Sequence, residues 1–197
     1  MTIKDLIQFS ELLTKLQKTE RVIRVFKSDR WENDVEHSYM LAMLAWYFIQ
    51  KDKLALDVSK VIKYALVHDL VEAYAGDVYI YDNDPSKKAD KHKKEKEAAE
   101  RIQKEFAEFY ELHELIAAYE ARNDAESKFV YALDKVQPVI QIFIDGGRTW
   151  NEKEVTLKML VDIKIDKAKL SPPVEKVFKE FVNFLKKNEE ALFTKLS

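Results

Sequence analysis

The chain contains no cysteine and 4 histidines, so any metal or acid–base site must be assembled from imidazoles and carboxylates. The histidines are His37, His68, His92 and His113. His68 stands in the string Val67-His68-Asp69-Leu70-Val71-Glu72. On a helix, His68 and Glu72 share a face one turn apart. Adjacent His and Asp diverge by about 100° on the same helix. Both reach one ion only if it sits against that helix edge and other helices complete its shell. The dipeptide alone is a weak signal, but its surroundings strengthen it. It closes the apolar run Ala65-Leu66-Val67, and His37 opens a second apolar run after Glu36. Asp134 lies between Leu133 and Val136, where an unpaired carboxylate is costly to bury. Each residue also has a plain structural reading, as a hydrogen-bonded core imidazole, a cap or an ion-pair partner. Four such coincidences in one chain favour a site.

The order His37, His68-Asp69, Asp134 resembles the HD-domain metal-dependent phosphohydrolase superfamily. The strings Glu36-His37-Ser38, His68 to Glu72 with Gly76-Asp77 after it, and Leu133-Asp134-Lys135 narrow the likeness to the small bacterial 5'-deoxynucleotidase-like hydrolases. It spans roughly residues 21–147. The resemblance implies that His37, His68, Asp69 and Asp134 ligate one divalent ion. Two imidazoles and two carboxylates suit Mn, Co, Fe, Ni or Zn, and Mg is also allowed. It further implies that Glu72 orients or deprotonates the attacking water. Asp77 would sit across the site, near a sugar hydroxyl, the leaving oxygen or that water. The family's upstream Arg-Trp pair directs attention to Arg24, Arg30 and Trp31 as substrate-binding residues, with Arg21 also available. Lys87, Lys88 and Lys135 are candidates to neutralise a phosphate.

The elements that must position these groups are helices. Gly and Pro number 3 and 4, where average usage of about 7 % and 5 % predicts roughly 24 together. Sheets need turns, and tight turns need these residues. The only glycines are Gly76, Gly146 and Gly147, which excludes GxGxxG, Walker and GxSxG motifs. Ile3, Leu6, Ile7, Leu13 and Leu16 outline a first helix. A polar stretch follows over residues 27–34. Residues 35–49 form a helix apolar most of the way round, which places it centrally, with Trp46, Tyr47 and Phe48 in the core. Asp57 caps a helix running toward Tyr74 and stopped by Gly76. Residues 77–86 read as a surface loop, 87–109 as a long charged helix, and 112–121 as a helix that continues or follows it. Asp124 restarts a helix that ends at Gly146-Gly147. Ser171-Pro172-Pro173 starts the last one, 174–196. His92 reads as a surface residue, and neither it nor His113, between Leu112 and Glu114, reads as a ligand.

The expected architecture is therefore all-α, a single HD-domain bundle of about eight to ten helices over residues 1–197. Its core lies at about 21–147, and C-terminal helices over 151–197 pack on it. Hydrophobic residues make up 47 % and charged residues 35 %, with a net charge of -2, which excludes a disordered chain and argues against a polymeric nucleic-acid binder. The longest uncharged run, 38–50, is too short for a span of about 20 residues, so no membrane partner is expected. The reading is a cytoplasmic enzyme, a homodimer as its relatives commonly are, that removes phosphate from nucleoside 5'-monophosphates. Other small phosphate esters, nucleoside triphosphates and nucleotide binding without turnover are the alternatives.

Overall fold

The computed structural model describes residues 1–77, 79, 81 and 85–193, apart from the side chains of 85–89. Helix α1 (Ile3–Gln17) leads into a two-stranded antiparallel sheet, β1 (Glu20–Arg24) with β2 (Trp31–Asn33). Then come α2 (Asp34–Asp52), α3 (Val58–Val67), α4 (Glu72–Ala75), α5 (Pro85–Glu105), α6 (Tyr110–Ala121) and α7 (Ala125–Ile144). The chain closes with α8 (Arg148–Glu152), α9 (Leu157–Ala168), α10 (Pro172–Lys187) and α11 (Glu189–Leu192). The all-α expectation stands, with 11 helices among the described residues. The excess over eight to ten comes from α4, α8 and α11, of only 4, 5 and 4 residues.

Helix starts follow local chemistry. Asn33 and Glu36 form a reciprocal capping box that opens α2, Asp57 accepts the Lys60 amide at 3.1 Å to open α3, and Asp124 accepts the Ser127 amide at 2.7 Å to open α7. Several readings change. The polar stretch 27–34 contains β2, whose partner β1 holds the chain beside α7 and α8. Pro85 begins α5 rather than sitting in a loop, because a first-turn proline loses no helical hydrogen bond. The helix expected to run on toward Tyr74 stops at Val67, and residues 68–71 form turns before α4. The expected last helix, 174–196, is broken at Asn188 into α10 and α11, and its end from residue 194 lies outside the described residues.

The larger core joins α2, α3, α7, α9 and α10 around Tyr64, Phe129, Trp150 and Phe178. A smaller one gathers Leu12, Leu16, Val67, Leu70, Ile102 and Leu112 from α1, α3, α5 and α6. Tyr64 and Ala65 belong to the first and Val67, Leu70 and Val71 to the second, so the turn at 68–71 lies on the seam. Helix α2 buries Leu41, Ala45, Phe48 and Ile49, but not the rest of its apolar surface. Tyr39, Met40, Met43, Trp46 and Tyr47 are 44–63 % exposed and recur at helical spacing along its outer face. Trp46 and Tyr47 are therefore not core residues. On α1, Leu12 and Leu16 are buried while Ile3, Leu6, Ile7 and Leu13 are exposed.

At the end of α7 the backbone of Gly147 packs against α11 closely enough that a Cβ would lie 2.3 Å from the Leu192 carbonyl oxygen. Its φ of 78° also favours glycine. Beside this approach the Trp150 and Phe193 rings stack with centroids 4.4 Å apart.

Candidate active site

The capping box places His37 in the first turn of α2, fully buried. Asp134 reaches it from the middle of α7, with its Oδ1 3.0 Å from His37 Nε2. His68 and Asp69 come from the turn after α3, where His68 keeps helical dihedrals with φ of -60° and ψ of -38°. His68 Nε2 lies 3.0 Å from Asp69 Oδ2 and 3.8 Å from Asp134 Oδ1, and His37 Nε2 is 3.8 Å from Asp69 Oδ2. Three segments far apart in sequence thus bring two imidazoles and two carboxylates together.

The outer nitrogens fix which face of each ring looks inward. His68 Nδ1 is 2.9 Å from the Ala65 carbonyl, which can only accept, so Nδ1 carries the proton. His37 Nδ1 donates in the same way to Gln137 Oε1 at 3.1 Å. In its neutral form each ring presents an Nε2 lone pair to carboxylate oxygens. His68 Nε2 makes no hydrogen bond of acceptable geometry. Lone pairs facing carboxylates repel, and a cation among them removes the conflict. The donor set therefore fits a divalent metal ion.

Burial opposes a charge on both rings, but at His68 the adjacent Asp69 outweighs it and raises the imidazole, whose proton metal binding displaces. Burial and the Arg21 charge push His37 down to about 4, which keeps it neutral. Burial opposes ionisation of Asp69 and Asp134, yet His68 outweighs it at Asp69 and Lys135 does so at Asp134, so both lie well below the usual carboxylate range. Arg21 donates to Asp69 at 2.7 Å and to Asp34 at 3.1 Å, and its Nε is 3.7 Å from Glu32. Burial and the neighbouring Asp69 charge raise Asp34 to about 7.

Glu72 is buried at the start of α4. Burial, then Asp69 and Asp77, raise its pKa well above normal. Lys91 on α5 holds one oxygen at 3.2 Å, and Oε2 has no hydrogen-bond partner among the described residues. Oxygens of Asp34, Asp69 and Glu72 approach within 4.8 Å of one another. A cavity of about 610 Å³ opens onto His68, Asp69, Glu72 and Asp134, lined also by Asp77, Tyr119, Lys135 and Lys164. Lys135 Nζ lies 2.5 Å from Asp134 Oδ2.

Some expected substrate residues are elsewhere. Arg24 ends a strand whose pairing is irregular between Glu20 and Arg24, and it lies 2.9 Å from Glu152 and stacks over the Trp31 ring at 3.6 Å. Arg30 pairs with Glu36 at 2.5 Å on the surface. Arg24, Arg30 and Trp31 line no part of the cavity, whereas Arg21 does. Lys87 belongs to α5, but its side chain is outside the described residues. His92 is exposed, and His113 contacts the Phe106 carbonyl at 2.8 Å. Gln137, Asp34, Lys91 and Lys164 went unnamed in the sequence reading. Only Gln137 carried a signal, three residues beyond Asp134 on the same helical face.

Residues 13–177 match the family model described as HD domain. Human 5'-deoxynucleotidase HDDC2 is 36 % identical over 141 residues, covering 70 % of this chain and 67 % of that protein. Saccharomyces cerevisiae 5'-deoxynucleotidase YGK1 is 30 % identical over 149 residues, covering 72 % and 67 % respectively. A crystal structure of a predicted metal-dependent phosphohydrolase from Magnetospirillum magnetotacticum superposes with a TM-score of 0.81 at 27 % identity, over 98 % of this chain and 96 % of the other.

Proposed function

The chain belongs to the HD domain family, and from that footing we propose that it is a metal-dependent phosphomonoesterase acting on nucleoside 5'-monophosphates. The observation that carries this reading is the convergence of His37, His68, Asp69 and Asp134 with both Nε2 lone pairs turned inward. These four residues would hold one divalent ion, with Mn, Co, Fe, Ni, Zn and Mg as the candidates. When bound, such an ion supplies Lewis-acid polarisation of a phosphoryl oxygen and a lowered pKa for water. The relatives named 5'-deoxynucleotidases support the substrate class, and a cavity of about 610 Å³ is of nucleotide size.

This chain's own residues then have defined work. Glu72, buried and with a free oxygen, takes a proton from the attacking water. The new P–O bond forms as the bond to the 5' oxygen breaks, leaving orthophosphate and a nucleoside whose 5' oxygen has gained a proton. Lys135 offsets phosphate charge, and Asp77 faces the sugar or the leaving oxygen. Arg21 holds Asp69 in place from behind.

The protein acts as a cytoplasmic homodimer in this reading, with the apolar outer face of α2 as the contact. No helix among the described residues is long and apolar enough to cross a membrane. The test of the activity is phosphate release from dAMP, AMP and dATP with Mn or Co present. Orthophosphate from the monophosphates is expected. Preferential release of triphosphate from dATP, or no release from any, would refute the reading.

A further inference from the structure

Helix α9 turns one stripe into the core: Leu157, Leu160, position 164 and Ala168 are all buried. Their spacing of three and four residues is that of an apolar seam, yet position 164 is a lysine. Lys164 is only 5 % exposed and lines the same cavity as Asp134 and Lys135. Its Nζ donates to the Lys135 carbonyl at 2.8 Å, and among the described residues no carboxylate comes within 4.0 Å of it. A buried ammonium without a counter-ion is costly. Burial and the adjacent Lys135 charge push Lys164 down to about 7. The Lys135 ammonium is committed to Asp134. An amine sits where the fold asks for a leucine, and its missing partner is an anion that enters the cavity.

We propose that Lys164, beside Lys135, is a substrate-binding residue that receives the non-bridging oxygens of a phosphate group in this cavity. The assignment rests on the phosphohydrolase reading for the identity of the anion. A phosphate dianion supplies the charge that the α7–α9 wall lacks. It can accept from both lysines while the Lys164 bond to the Lys135 carbonyl remains, because an ammonium has three donors. The same contacts serve an ester phosphate and free orthophosphate, so substrate and product share the subsite.

The experiment titrates orthophosphate into Mn-loaded protein by calorimetry, comparing wild type, Lys164→Met and Lys164→Gln. Methionine fits the apolar stripe, and glutamine keeps a donor for the Lys135 carbonyl without the charge. Hydrogen bonds to charged groups are worth enough that both variants should lose about 10- to 100-fold in phosphate affinity. KM for dAMP should rise in parallel, while Mn content is unchanged and melting temperature does not fall. Wild-type phosphate affinity in Lys164→Gln would overturn the proposal and leave Lys164 as a structural donor. Wild-type protein that binds no phosphate would overturn it too. Wild type that binds phosphate with the expected dependence on Lys164, but releases none from any nucleoside monophosphate, would support the anion subsite and refute the nucleotidase reading alone.

Discussion

Replacing Arg21 by Met removes the cation that faces Asp69, Asp34 and Glu32 at 2.7, 3.1 and 3.7 Å. All three carboxylates are largely withdrawn from water, so their repulsion is poorly screened. Breaking a buried ion pair from one side costs about 3–5 kcal/mol. An unfolding entropy of about 2.1 cal/mol/K per residue gives about 0.4 kcal/mol/K for a chain of 197 residues. The variant should therefore melt about 7–12 °C below wild type in EDTA at pH 8, by calorimetry or circular dichroism. The pH dependence has a definite sign. Asp34 is raised in the folded state to about 7, above its unfolded value of 3.8. The folded protein thus binds the extra proton between these values, and stability falls as pH rises through that window. Losing Arg21 extends the window upward, so the deficit should be smaller at pH 6 than at pH 8. Saturating Mn should recover part of it, by placing positive charge against Asp69. A melting point within 2 °C of wild type in EDTA at pH 8, on the scale of these shifts, would refute the electrostatic account of Arg21.

Glu72→Gln should keep the bound metal, because the proposed donor set of His37, His68, Asp69 and Asp134 does not include it, and should lose about 10²–10⁴-fold in kcat. Metal analysis beside a phosphate-release assay checks this, and near-normal turnover would make Glu72 structural. Trp46→Glu, on the exposed face of α2, should convert a dimer into a monomer without lowering the melting point. Sedimentation analysis decides the matter, and a wild-type chain that is already monomeric would remove α2 as a contact.

The helical class was legible because glycine and proline are so few, and the capping residues Asp57 and Asp124 marked their helices directly. The candidate ligands were legible because polar groups interrupted apolar runs at His37, His68-Asp69 and Asp134. The end of α3 at Val67 was not, because nothing in the apolar run announces that stop. The choice among Arg21, Arg24 and Arg30 depended on a strand pair of only 5 and 3 residues. Within that irregular pair, invisible without the fold, Arg21 lines the cavity while Arg24 pairs outside it with Glu152. Lys164 was hidden for a different reason: its partner carbonyl lies 29 positions earlier, a distance no local pattern spans.

The glycine pair that ends α7 has a consequence for mutational tolerance. Gly146 and Gly147 have φ of 70° and 78°, so a sequence profile would treat them alike. Around Gly146 there is open space, and asparagine, which tolerates that backbone region, should be accepted there. At Gly147 the Leu192 carbonyl occupies the place of any side chain, so even alanine must push α11 and the Phe193 ring from Trp150. Drift in this chain is therefore narrow at one position, open to residues that accept a left-handed backbone, and closed at the next, and the closed one guards a helix end more than forty residues downstream.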